Sequence, residues 1–305
     1  MHTIILLALI SATSFASTDI IYGDDGRVEI HAVESQLVSN LGKSVAARVS
    51  HWSLDIKDNK FSYSDVSVLS DMWAAGVCSD EKFANQPTIA DCTGFLIGED
   101  LLVTAGHCAL DMEGVTKNEE TFECQSNSWI FGYEVQNGST ELKDLDVNNL
   151  YNCKEIVLGK LTEEEDFAII RLDRKVIDRT PLKLRATGKI AINEDIFVIG
   201  HPSGLPMKYA GDSQVRANEE KAYFSTNLDT FGGNSGSPVF NARTLEVEGI
   251  LVRGRTDYVD SEENGQFCMR VNVCDQNGEN CLQQDEDING EHVNRVDEIV
   301  KFLEL

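Results

Sequence analysis

An all-β fold is what this 305-residue sequence predicts, and two observations carry the prediction. From about Ser44 onward, short apolar runs alternate with clusters of Gly, Asn, Asp, Ser and Pro, the spacing of a sandwich or barrel. Helical periodicity is confined to residues 33–41 and to the C-terminus. The composition, 42% hydrophobic and 25% charged, supplies a sizeable core in an ordinary soluble chain. The length suits one large all-β domain or two small ones.

The elements follow in chain order. Residues 1–16 read as a secretory signal: an apolar run over 4–10 precedes Ser14-Phe15-Ala16, with small residues where a signal peptidase cuts. The region before the run carries His2 but no Lys or Arg. Ile20-Ile21-Tyr22 is a short strand entering the turn Gly23-Asp24-Asp25-Gly26. Val33, Leu37 and Leu41, four apart, mark a short helix. Strands are expected over 45–49, 95–97, 101–104, 129–133, 168–172, 196–199, 222–226 and 248–252. Val293, Val296, Ile299, Val300 and Leu303 recur at helical spacing, which predicts a C-terminal amphipathic helix. With no internal repeat or linker, residues 17–305 read as one domain, its segment 17–43 packing on the rest.

The net charge of −25, from 26 Lys plus Arg against 51 Asp plus Glu, argues against nucleic acid and anionic membranes as partners. It suits solubility or the steering of basic substrates. Beyond the signal, no apolar stretch approaches the ~20 residues that span a bilayer. Eight cysteines, none in a Cys-x-x-Cys pair, fit a disulfide framework in an oxidising compartment, secreted or periplasmic, rather than a zinc site. Asp285-Glu286-Asp287-Ile288-Asn289-Gly290 resembles half of a calcium loop, but its twelfth position is Val296 instead of a bidentate Glu. No metal and no cofactor are expected.

One segment bears most on chemistry: Gly232-Gly233-Asn234-Ser235-Gly236-Ser237-Pro238-Val239-Phe240. Its glycines allow a tight turn that exposes the Ser235 hydroxyl beside backbone N–H groups, the arrangement acyl transfer needs. A hydroxyl attacks at neutral pH only with a base in reach and a carboxylate to orient that base. His107, in Leu101-Leu102-Val103-Thr104-Ala105-Gly106-His107-Cys108, and Asp166, opening Asp166-Phe167-Ala168-Ile169-Ile170-Arg171-Leu172, are the candidates. His201, in a Pro- and Gly-shaped loop, is given a structural role, and Glu163-Glu164-Glu165 reads as a solvated turn.

These frames resemble the three motifs of trypsin/chymotrypsin-like serine proteases, of the bacterial branch that includes the glutamyl endopeptidases. The resemblance covers roughly residues 20–305. It implies two six-stranded antiparallel β-barrels followed by the C-terminal helix. It also implies a His107–Asp166–Ser235 triad, an oxyanion hole from the N–H groups of Gly233 and Ser235, and a Cys92–Cys108 bridge. Cys124 with Cys153 is a candidate second bridge, while Cys78, Cys268, Cys274 and Cys281 stay unassigned. The implied function is a secreted endopeptidase, a monomer acting on protein or peptide substrates. The competing reading is a catalytically silent, protease-like binding protein.

Three departures matter. Asn234 stands where animal trypsins carry the aspartate that pairs with a freed amino terminus, so that switch is not expected. Leu251 takes the place of a histidine through which glutamyl endopeptidases read acidic side chains, so their specificity is not inherited. Asp229, Thr230, Leu251 and Gly254 are the candidate pocket positions. Asp229 would favour basic substrates, unless local backbone amides satisfy it. Arg253 and Arg255 would instead attract an acidic side chain.

Overall fold

The computed structural model describes residues 20–58, 60–63, 67–71, 76–135, 145–283 and 290–304. The signal segment 1–16 and residues 285–289 of the calcium-loop resemblance lie outside the described residues. Twelve strands close into two six-stranded antiparallel barrels. The first is built from β1 (Val45–Ser50), β2 (Cys92–Leu96), β3 (Leu101–Thr104), β4 (Asn127–Phe131), β5 (Leu150–Leu161) and β6 (Asp166–Leu172). Their order is β5-β4-β1-β2-β3-β6, and β6 pairs back onto β5. The second uses β7 (Asp195–Gly200), β8 (Lys208–Ala217), β9 (Tyr223–Thr226), β10 (Pro238–Asn241), β11 (Val247–Arg253) and β12 (Glu291–Arg295). Its order, β7-β10-β11-β12-β9-β8 with β8 closing on β7, repeats the connectivity of the first.

Strand alternation separates three cores. On β6, Ala168 and Ile170 fill the first barrel, while Phe167 and Ile169 face the second. On β7, Ile196 and Val198 fill the second barrel, while Phe197 and Ile199 face back. Both strands are therefore buried on two faces, which is why they read as continuous apolar runs. Phe95, Val103, Phe240, Ile250 and Val252 complete the layer between the barrels. Leu182, in the crossing segment, joins that layer and donates its N–H to the Leu96 carbonyl at 2.8 Å.

The helix near the start is α1 (Gln36–Gly42), capped by the Ser35 hydroxyl on the Val38 N–H. The short α2 (Phe122–Ser126) precedes β4. The C-terminal helix α3 is shorter than its periodicity suggests, running only Asp297–Leu303. Val293 belongs to β12, because the second barrel needs that strand between β9 and β11. Four disulfides join Cys78 to Cys268, Cys92 to Cys108, Cys124 to Cys153 and Cys274 to Cys281. The N-terminal strand Ile21–Tyr22 pairs in parallel with Val273–Cys274, and Arg27–Glu29 adds to the edge of β8. No helix among the described residues is long and apolar enough to cross a membrane.

Candidate active site

β3 ends at Thr104 and runs into a single 3-10 turn, Gly106–Cys108, that projects His107 from the first barrel. Gly106 is required there: a Cβ would sit 2.4 Å from the Lys160 carbonyl and 3.0 Å from Asp166 Oδ1. That close approach lets Asp166, the first residue of β6, grip His107 twice. The His107 N–H donates to Oδ1 at 3.0 Å, and Nδ1 lies 2.8 Å from Oδ2. A carboxylate can only accept, so Nδ1 is the donor in that contact and Nε2 is the ring nitrogen left facing away from Asp166. Burial works against the Asp166 charge, but the imidazole and its N–H bonds outweigh burial and hold this carboxyl below its ordinary range. The Asp166 side chain is 6% exposed and that of His107 27%, so the imidazole opens to solvent while its partner does not. Asn294 on β12 holds Asp166 from the second barrel, accepting its N–H at 3.2 Å and donating to the Glu164 carbonyl at 2.9 Å.

Ser235 lies on the turn between β9 and β10, and two tethered carbonyls set its amides. The Gly232 carbonyl accepts from Ser203 N–H at 2.5 Å, and the Asn234 carbonyl from Ser237 N–H at 2.8 Å. In a planar trans peptide the N–H points opposite its carbonyl. The N–H groups of Gly233 and Ser235 are therefore turned away from those two anchors, and among the described residues neither has an acceptor. Gly233 (φ +94°) and Gly236 (φ +89°) take conformations that disfavour a side chain. A Cβ on Gly236 would lie 2.0 Å from the Thr93 carbonyl.

Thr93 on β2 is the tie that sequence reasoning missed. Its hydroxyl donates to the Gly233 carbonyl and its N–H to the Ser235 carbonyl, both at 2.8 Å. Next to it, the Cys92–Cys108 bridge brings Cys108 Sγ to 3.7 Å from that same Ser235 carbonyl. The Cys92 and Cys108 sulfurs lie within 4.8 Å of His107, but as a disulfide they are poor metal ligands. Asn294 was missed as well. Neither residue type signals its role, because the partners stand more than 100 residues away.

The remaining candidates are placed as follows. His201 is fully buried, bonds Leu205 O through Nδ1 at 3.1 Å and stacks on Tyr133. Burial pushes its pKa down to about 3, which keeps it neutral. Glu165 pairs with Lys160 at 3.0 Å in the turn before β6. Asp229, 5% exposed, accepts from the N–H groups of Tyr22 and Gly26, each at 2.8 Å. Burial pushes its carboxyl up to about 6. With both oxygens engaged by the N-terminal segment, this placement lends no support to the preference for basic substrates. Thr230 donates to Glu291 Oε2 at 2.8 Å, and Leu251 packs inside the second barrel. Gly254 is buried, and Arg255 donates to the Gly278 carbonyl at 2.6 Å. Arg253 is partly exposed, and its charge adds to the field that keeps Asp166 ionised.

Comparison with known proteins bears on the family and the fold. The glutamyl endopeptidases of Staphylococcus aureus strains MW2 and MRSA252 are each 27% identical to the chain, over 188 and 205 residues. The matches cover 59% and 65% of this chain and 51% and 50% of those proteins, so the chain spans about half the length of the curated relatives it matches. Among solved structures, the VesB protease of Vibrio cholerae superposes with a TM-score of 0.50 at 12% identity, over 93% of this chain and 66% of that one. At that identity the likeness concerns the fold alone. A model of the trypsin-like peptidase domain matches residues 92–250, more than half of the 305, and the chain belongs to that family.

Proposed function

We propose that this protein is a secreted serine endopeptidase working through His107, Asp166 and Ser235. Ser235 Oγ attacks the scissile carbonyl while His107 Nε2 takes its proton. The proton then passes to the leaving amine, and water releases the acyl group from Ser235 by the same route. Asp166 fixes the tautomer and stabilises the imidazolium. The N–H groups of Gly233 and Ser235 receive the oxyanion.

The observation that carries the reading is the double hydrogen bond from His107 to a buried, ionised Asp166. The N–H groups of Gly233 and Ser235, without an acceptor among the described residues, support it. For secretion, the support is the four disulfides, which persist in oxidising compartments. A fluorophosphonate probe tests the proposal: wild-type protein is labelled at neutral pH and Ser235→Ala is not. An unlabelled wild type would leave the silent binding protein as the better reading. Cleavage-site profiling on a mixed peptide library then assigns the substrate side chain.

A further inference from the structure

An elaborate polar cluster lies outside the site, where the N-terminal segment meets the loop leading to Ser235. Arg27 is 1% exposed and forks onto Asp25, with Nε to Oδ1 at 2.9 Å and Nη2 to Oδ2 at 2.7 Å. Its guanidinium lies 4.0 Å from the centroid of the Phe231 ring and 5.5 Å from that of Phe83. Burying a guanidinium is costly unless its partners are well placed, and a flat cation is suited to stacking on rings. Phe231 is four residues before Ser235, and its carbonyl accepts the Asn234 N–H at 2.9 Å. Two residues earlier, Asp229 receives the Tyr22 and Gly26 N–H groups. The same short segment thus grips residues 229 and 231. In addition, Asp257 accepts the Gly232 N–H at 3.0 Å, and the Tyr258 ring lies tilted against Phe231 with centroids 5.3 Å apart.

We propose that Arg27 is a positioning residue for the oxyanion loop. Docked on Asp229, and with its own Asp25 orienting the guanidinium, the segment presses Arg27 against Phe231 and fixes the peptide that aims the Gly233 N–H. The device works through an internal side chain, and Arg27 itself touches no substrate. This inference rests on the endopeptidase reading.

The test compares wild type with Asp25→Asn/Arg27→Met, which removes both charges at nearly constant size, and with Phe231→Leu, which keeps every ion pair. The readouts are fluorophosphonate labelling, kcat and KM on a fluorogenic peptide taken from library profiling, and inhibition by the corresponding peptide aldehyde. Misplacing one oxyanion donor should lower kcat and the labelling rate about 10- to 100-fold. Aldehyde affinity should weaken by the same factor while KM stays within about twofold, since only the tetrahedral adduct uses that donor. Arg27→Lys, which keeps a cation on the ring, should recover part of the loss. An unlabelled wild type overturns the endopeptidase reading and this proposal with it. A labelled wild type whose two variants keep wild-type kcat, or lose activity through KM, overturns this proposal alone. If both variants lose their near-UV circular dichroism, the segment is a requirement of the fold, and the positioning role is equally overturned.

Discussion

Thr93→Val removes one hydroxyl from the first barrel and should damage the serine loop of the second. Thr93 is fully buried. Its Oγ1 donates to the Gly233 carbonyl at 2.8 Å and accepts the His201 N–H at 3.1 Å. Valine preserves the shape and leaves the backbone bonds of residue 93 intact, so the perturbation is confined to those two groups. Each buried polar group stranded without a partner costs about 1–3 kcal/mol, which puts the loss of stability at about 2–6 kcal/mol. In a chain of this size that corresponds to a fall in Tm of roughly 3–10 °C. Catalysis should suffer separately, because the peptide following Gly233 loses its anchor at a residue already held at φ +94°. A loosened oxyanion donor should cost about 10- to 100-fold in kcat with KM nearly unchanged. Thr93→Ser, which keeps the hydroxyl, should lose only about 1 kcal/mol of methyl burial and retain most of kcat. Differential scanning calorimetry and steady-state hydrolysis of the profiled peptide read both effects. A Thr93→Val protein that melts and turns over like wild type would refute the idea that the barrels meet through this residue.

Three further outcomes are expected. Gly106→Ala places a methyl against the Lys160 carbonyl; it should part His107 from Asp166 and lower kcat at least about 100-fold, read against a peptide substrate, and an active variant would contradict the geometry. Cys92→Ala/Cys108→Ala opens a bridge spanning 16 residues; it should cost about 3 kcal/mol in thermal unfolding, and an unchanged Tm would count against a structural role for the bridge. Asp229 has a folded pKa raised to about 6 from 3.8, so its contribution to stability is complete below about pH 3.8 and is lost as pH rises through about 6, by about 3 kcal/mol. The stability gap between wild type and Asp229→Asn should therefore move against wild type between pH 4 and pH 7, and a gap independent of pH would show that the carboxyl is not buried as described.

How much of this was legible in the sequence depends on where each residue's partners lie. β6 and β7 were readable because both their faces are apolar and buried. β5 was not: Asn152, Lys154, Glu155 and Lys160 interrupt it, and two bulges against β6 break its alternation. β12 carries Val293 as its one aliphatic residue, yet it buries Glu291, Asn294 and Arg295 through bonds to distant groups. No local pattern announces that, so Val293 was absorbed into a helical periodicity that begins only at Asp297. At the site, His107, Asp166 and Ser235 stood out because glycines and apolar strands frame each of them locally. Asp229 shows the opposite case. Its distance from Ser235 suggested a pocket floor, whereas its carboxylate meets amides of residues 22 and 26, some two hundred positions away.

The two barrels repeat one connectivity, but the proposed chemistry divides unevenly between them: base and acid on the first, nucleophile on the second. Such a constellation tolerates only about 0.5 Å of error, and the apolar layer between the barrels cannot fix register that finely, because apolar contacts carry little direction. The directional ties are few, and they cross in both senses. Thr93 reaches from the first barrel to the carbonyls of Gly233 and Ser235, and Asn294 reaches from the second to the N–H of Asp166. At Gly236 the two backbones approach so closely that no side chain fits between them. Each tie engages main-chain atoms, which cannot adjust by changing rotamer. A substitution at Thr93 or Asn294 should therefore shift one half of the proposed triad against the other, although neither side chain belongs to it. On this argument Asn294→Leu should lose stability by stranding the Asp166 N–H and the Glu164 carbonyl, and should in addition resemble a weakened Asp166 variant in its pH–rate profile, which a loss of stability alone would not produce.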